Sequence, residues 1–301
     1  MIRRRRIVSS RSLQLTAGVA AVLVGGQVRA AAPAPEQDLE MWSQVLIDAN
    51  LDAKAKGLRL SLDMQLRRMN APLQYIKDMS GVVTDTRQNP NTVVILRPAI
   101  GYMWAKWGGL FLGYAWQPDF FDDRAVARTR NIDEHRIYTQ LNFRWQREGR
   151  FDLSARSRFE HRVRTHGPGS DDIVDGEPQD KGLSRWAHRY RQQFRLAVNF
   201  KKDAPWQFIA WDEFFFHLND TAFTTERGFD QNRAFVGLGY DTKQVRVEVG
   251  YINQYVRRFH DPDQLNHVFA LNFIIKLGHG KHAKHTPAPA AAPAAAPAAN
   301  H

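Results

Sequence analysis

The 301-residue chain contains no cysteine, which removes disulfides, thiolate metal sites and a cysteine nucleophile from its chemistry. Long hydrophobic runs are missing too: nowhere do about 18 apolar residues follow one another, so no segment reads as a membrane-spanning helix. Excess positive charge is scarce once the first segment is set aside. "MIRRRRIVSSRSLQ", "LTAGVAAVLVGG" and "QVRAAA" form a cationic start, a short apolar run and small residues for cleavage. That is the layout of a secretory signal peptide, expected to end at Ala30. Six of the 42 Lys and Arg lie within it, leaving 36 against 31 Asp and Glu and a net charge near +5. Nucleic acid is therefore not expected as a partner. The other end, 278–301, is an Ala/Pro-rich tail whose prolines oppose a packed core. Its histidines His279, His282 and His285 have no fixed geometry with which to hold a metal, and no cofactor is expected.

What the chain does have is alternation of period two. In "FDLSARSRFEHRVR" (151–164), Phe151, Leu153, Ala155, Phe159 and Val163 fall on one side of a strand, and Asp152, Arg156, Arg158, Glu160 and Arg162 on the other. The same pattern returns in "GLRLSLDMQLRR" (57–68), "EHRIYTQLNFRW" (134–145), "HRYRQQFRLAVNF" (188–200) and "QVRVEVGYINQY" (244–255). Helical spacing cannot account for so many segments. Short turns such as 106–109, 147–150, 201–205 and 241–244 alternate with long polar stretches at 70–92, 118–132, 165–184, 218–230 and 257–264. In an up-and-down barrel this rhythm places every short turn at one end and every long loop at the other, as in outer-membrane barrels. Trp104, Trp116, Trp145, Trp186, Trp206, Tyr240 and Tyr255 stand near the expected strand ends, where interfacial aromatics belong. Trp211, in the middle of "FIAWDEFFFHLN", has no clear face.

The expected fold is all-β, a transmembrane antiparallel up-and-down β-barrel of about 10–12 strands over 40–277, preceded by an N-terminal segment at 31–39. Eleven candidate strands can be counted. Bacterial single-chain barrels carry even numbers, so the expectation is ten, with 40–50 outside the sheet, or twelve, with one strand uncounted.

Several segments, taken in order, resemble a known family. They are "RPAIGYMW" and "GLFLGYAW" (97–116), "DEHRIYTQLNF" (133–143), "ARSRFEHR" (155–162), "RYRQQFRL" (189–196), "DEFFFHLN" (212–219), "FDQNR" (229–233) and "VEVGYINQY" (247–255). Together they resemble the domain of unknown function 2490 family of outer-membrane β-barrels, over roughly 40–277. The resemblance implies a barrel in the outer membrane of a Gram-negative bacterium, surrounded by lipid and lipopolysaccharide. It supplies no reaction, ligand or catalytic residue. Because the tail replaces a terminal aromatic, the barrel-assembly machinery would have to recognise "HVFALNF" (267–273) internally.

The chemistry sits on the polar face. Glu134, Arg136, Arg156, Arg158, Glu160, Arg162, Arg189, Arg191, Arg195, Glu213, Arg233, Arg246 and Glu248 form a charge ladder that a membrane barrel turns toward its lumen, since Arg or Lys facing lipid costs about 2–4 kcal/mol. Such a ladder either braces the barrel or lines a path for small anionic solutes. An outer-membrane lipid or lipopolysaccharide hydrolase is the enzymatic alternative, and its weakness is geometric. Ser157 and His161 share a face but stand four residues apart, more than about 12 Å along a strand. His135, His188 and His267 fall on the outward phase, and no catalytic residue is assigned. A third alternative is a surface protein that binds a partner through its long loops, among which "DDIVDGEPQD" (171–180) is acidic enough to hold divalent cations.

Overall fold

The computed structural model describes residues 34–52, 56–69, 74–77, 83–87, 91–121, 133–147, 150–166, 173–174, 176–178, 180–224, 226–258 and 262–278. The expectations for a signal peptide (1–30) and for the tail beyond Gly278 lie outside them. Among the described residues there is no helix. The strands are β1 (Glu36–Asn50), β2 (Gly57–Met69), β3 (Gln74–Lys77), β4 (Val83–Arg87), β5 (Asn91–Ala105), β6 (Gly108–Phe121), β7 (Asp133–Arg147) and β8 (Phe151–Arg164), followed by β9 (Ile173–Val174), β10 (Glu177–Pro178), β11 (Ala187–Asn199), β12 (Trp206–His217), β13 (Gly228–Asp241), β14 (Val245–Val256) and β15 (Gln264–Leu277). Two small hairpins, β3–β4 and β9–β10, sit within long loops. The other eleven strands close one barrel in the order β1-β15-β14-β13-β12-β11-β8-β7-β6-β5-β2.

Neither ten nor twelve strands is correct. Segment 40–50 belongs to β1, which pairs antiparallel with β2 and parallel with β15, from Glu36 opposite Gln264 to Ala49 opposite Leu277. The reason is parity. When strands run alternately up and down, an odd number leaves the first and last pointing the same way, and closure then requires one parallel seam. The uniformly antiparallel expectation is corrected at that seam alone.

The long and short connections alternate as the sequence spacing suggests, although several strands run further than expected, β6 to Phe121 and β13 from Gly228. Large apolar side chains are exposed on the outer face of every one of the eleven strands, from Leu39 on β1 (65% exposed) through Trp145 on β7 (55%) to Phe269 on β15. The intervening residues turn inward and are buried or half-buried. Glycines shape the inner wall where rings need room. At Gly113 a Cβ would come within 2.2 Å of Tyr138 Cζ, and the facing pair Gly237 and Gly250 leaves space for the Phe235 ring. That ring stacks on Trp211, with centroids 5.2 Å apart and planes at 9°. Trp211 therefore faces inward. Asp212 faces out and accepts a 2.5 Å hydrogen bond from Asn232, while Glu213 returns to the interior.

Candidate binding site: the barrel interior

Alternation in each strand decides which charges enter the interior, and register between strands decides how deep they lie. In the half nearer the long loops the charges meet as pairs. Glu134 accepts Arg136 Nε (2.7 Å) and both Arg162 Nε (2.5 Å) and Nη2 (2.9 Å), joining β7 to β8. Glu160, only 1% exposed, accepts Arg189 Nη2 on one oxygen and Arg191 Nη1 on the other, each at 2.6 Å. Arg191 also donates from Nη2 to Glu213 at 2.8 Å, so that one guanidinium ties β8, β11 and β12 together. Arg158 lies 4.3 Å from the centroid of the Tyr138 ring and donates from Nε to Gln140 Oε1 at 2.7 Å. Such charge-assisted, partly bidentate bonds suit the planar guanidinium.

An aromatic hub completes this half. Phe215 is fully buried, and the Cζ atoms of Arg191, Arg233 and Arg189 stand 4.4, 4.6 and 5.2 Å from its centroid. At the loop end, Phe223 of the β12–β13 connection lies over Arg164 (4.6 Å) and Arg162 (5.7 Å), beside the buried Thr221. His217 Nε2 and Asp230 are 3.3 Å apart just beneath it. A packed cluster of Trp42, Ile209, Phe235, Ile252 and Val268 occupies the inner wall at mid-height.

The half nearer the short turns is hollow. A cavity of about 1050 Å³ extends from Trp42, Arg191, Glu213 and Arg233 down to Asp203, Ala204 and Pro205 of one short turn and Thr242 and Lys243 of another. Arg156, with 28% of its side chain exposed, reaches Glu213 at 2.9 Å from the cavity side. Arg195 donates to Glu248 at 2.7 Å, and Arg246 to Asp241 at 2.6 Å. Around the wall, Arg97 and Asp63 pair at 3.0 Å.

All thirteen residues of the expected charge ladder point inward, but they fall into two groups. Nine lie in the packed half or at its boundary, and Arg156, Arg195, Arg246 and Glu248 face the cavity. Sequence reasoning passed over Trp42, Arg67, Arg97 and Phe215. Arg67 was legible on the polar face of 57–68. Arg97 was hidden because its neighbours on the inner face of β5, Val93, Ile95 and Ala99, are as apolar as those outside.

Outside the barrel, Ser157 and His161 do not meet. Ser157 Oγ donates to Gln192 Oε1 at 2.5 Å, and Tyr190 donates to the same oxygen at 2.7 Å. His161 and His188 meet Nδ1 to Nδ1 at 2.7 Å, while His135 and His267 are bonded to Tyr114 (2.5 Å) and Tyr251 (2.6 Å). Among the described residues no three His, Cys, Asp or Glu side chains gather as metal ligands. The acidic segment 171–180 lies partly outside those residues, so its proposed cations find no described site.

The sequence model of the family described as protein of unknown function (DUF2490) matches residues 39–266, from β1 into β15. The chain belongs to this family. In this DUF2490 member the matched span covers most of β1, every strand from β2 to β14 and the first three residues of β15. An uncharacterised protein of Methylorubrum extorquens is 30% identical over 187 residues, covering 61% of this chain and 72% of its own length.

Proposed function

We propose that the protein is an outer-membrane barrel, exported by a cleaved signal peptide, whose interior is a blind vestibule and not a through-pore. The observation that carries this reading is its inverted polarity: exposed large apolar residues on all eleven outer faces, buried ion pairs within. Soluble monomers rarely expose apolar patches beyond about 300–600 Å². Along β7, His135 and Trp145 are ten residues apart, about 33 Å of strand, and at a tilt near 40° that spans the roughly 25 Å apolar band of such barrels. Lipid and lipopolysaccharide surround the barrel in this reading, with the short-turn end toward the periplasm, and the assembly machinery engages "HVFALNF" in β15. The paired Glu134, Glu160 and Glu213 clusters and the Phe215 hub support closure of the long-loop half.

The reading is a non-enzymatic one, supported by the one serine weighed as a nucleophile: among the described residues Ser157 is engaged by Gln192 and Tyr190 and meets no histidine base. Heat-modifiable gel migration and recovery in the outer-membrane fraction test the barrel and its location; recovery from periplasmic extracts would overturn both. Planar bilayers should stay silent with the purified protein, and steady anion-selective currents would replace the blind vestibule with a pore. Release of fatty acid from phospholipid would overturn the non-enzymatic reading.

A further inference from the structure

The inner end of the cavity holds guanidinium groups whose hydrogen-bond donors the protein only partly satisfies. Arg67 lies 4.1 Å from the centroid of the Trp42 ring and Arg233 lies 4.9 Å from it, so one indole carries two guanidinium groups. Their bonds go to neutral amides, Arg67 Nη2 to Gln65 Oε1 at 2.8 Å and Arg233 Nη2 to Gln231 Oε1 at 3.0 Å. Among the described residues no carboxylate stands within 4 Å of either guanidinium, and Glu40 and Glu213 act on them only from farther away. Glu40, inward-facing on the same strand as Trp42, accepts from Trp42 Nε1 at 2.5 Å on one oxygen, keeps the other buried without a hydrogen-bond partner, and supplies one negative charge to the two arginines. The Nε atoms of Arg67, Arg97, Arg156 and Arg233 are buried without a hydrogen-bond partner, and Arg97 and Arg233 are themselves more than nine-tenths buried. Around the whole cavity, eleven Lys and Arg face seven Asp and Glu. Sequestered guanidinium groups with unused donors and too few carboxylates are costly. An anion with several acceptor oxygens would supply what this arrangement lacks.

We propose that the vestibule binds a water-soluble oxyanion, a solute bearing phosphate or clustered carboxylate groups, with its charged end against Arg67 and Arg233 at Trp42. This rests on the blind-vestibule reading, because a solute admitted from the short turns meets these arginines as the end of its path. The guanidinium fork matches phosphate and carboxylate oxygens bidentately. The cavity, at about 1050 Å³, has room for a solute well beyond inorganic phosphate. Its walls carry Gln44, Asp63, Asp152, Gln193 and Asn272, a lining hostile to an acyl chain, so the site is assigned to a free anion and not to a lipid headgroup.

The test is calorimetric titration of the full chain in detergent with sodium pyrophosphate, each variant being checked for folding by heat-modifiable migration. Saturable binding of one pyrophosphate per barrel is expected. Arg67→Gln and Arg233→Gln should each weaken it by about tenfold or more, whereas Arg257→Gln, on the long-loop side, should leave it unchanged. Absence of saturable binding by folded protein, or unchanged affinity in the Arg67→Gln/Arg233→Gln double variant, overturns the proposal. Should those variants fail to fold, tryptophan fluorescence of the unaltered protein serves instead: pyrophosphate should change it, and a change that persists in Trp42→Phe places binding elsewhere and overturns the assignment. Phosphatidylglycerol added to the micelles should not compete; competition would give the site to a headgroup and overturn the free-anion assignment. A silent barrel that fails to bind pyrophosphate refutes this inference alone, while a conducting barrel that binds it refutes the blind vestibule alone.

Discussion

The two halves of the barrel interior are built from the same residue types and end in opposite states. Near the long loops, Arg and Glu are matched so closely that Arg189 and Arg191 hold both oxygens of Glu160, and Phe215 fills the space between guanidinium groups. Near the short turns, arginines outnumber their partners and the space between them is a cavity. The contrast teaches that an interior rich in charge is neither a pore nor a plug by composition. What decides is whether each cation finds a carboxylate at its own depth, and that depends on which residues the register sets side by side.

The contrast can be broken most severely at Glu160. In Glu160→Ala two buried guanidinium groups each lose a carboxylate acceptor, Arg191 keeping only Glu213, and the expected loss is about 3–5 kcal/mol, measured as a shift in the urea unfolding of protein folded into lipid vesicles. Phe215→Ala should cost about 3 kcal/mol by leaving a cavity among the arginines. It should also allow ion current across planar bilayers, where the parent protein is expected to give none. In the hollow half, Arg195→Ala removes a bond to Glu248 in a wall that water reaches, and unfolding should shift by about 1 kcal/mol. At the rim, where Arg144 pairs with Asp152 and 45% of its side chain is exposed, Arg144→Ala should change stability by less than about 1 kcal/mol. If the Arg195 or Arg144 variants lost as much as Glu160→Ala, the two halves would not differ as described.

Much of this fold is legible in the sequence, because period-two alternation survives wherever one face is charged and the other apolar, as with Phe159 and Glu160 or Val249 and Glu248. It fails where the interior itself is apolar. On β5, Val93, Ile95 and Ala99 turn inward beside Arg97, so both faces read alike. On β12, inward Trp211 and Phe215 and an outward Asp212 reverse the usual chemistry of the faces. Strand parity was misread because the rule of even numbers was applied to a count that already stood at eleven. The division of the charge ladder into a sealed and an open group has no signature along the chain. Arg158 and Arg195 are both arginines on polar faces, and their different depths are fixed only when β8 and β11 are aligned with their neighbours.

The parallel seam between β1 and β15 separates the two ends of the sheet in space. Glu36 begins β1 beside the long loops and Leu277 ends β15 beside the short turns. No brief peptide linker can join these ends, since it would have to run the full height of the wall, about 45 Å for a strand of this length. Cutting the chain at a loop and reconnecting the two ends of the sheet, a simple rearrangement for barrels with an even number of strands, here needs a segment that spans the wall. In a membrane, epitopes placed just before Glu36 and just after Leu277 would be displayed to different compartments.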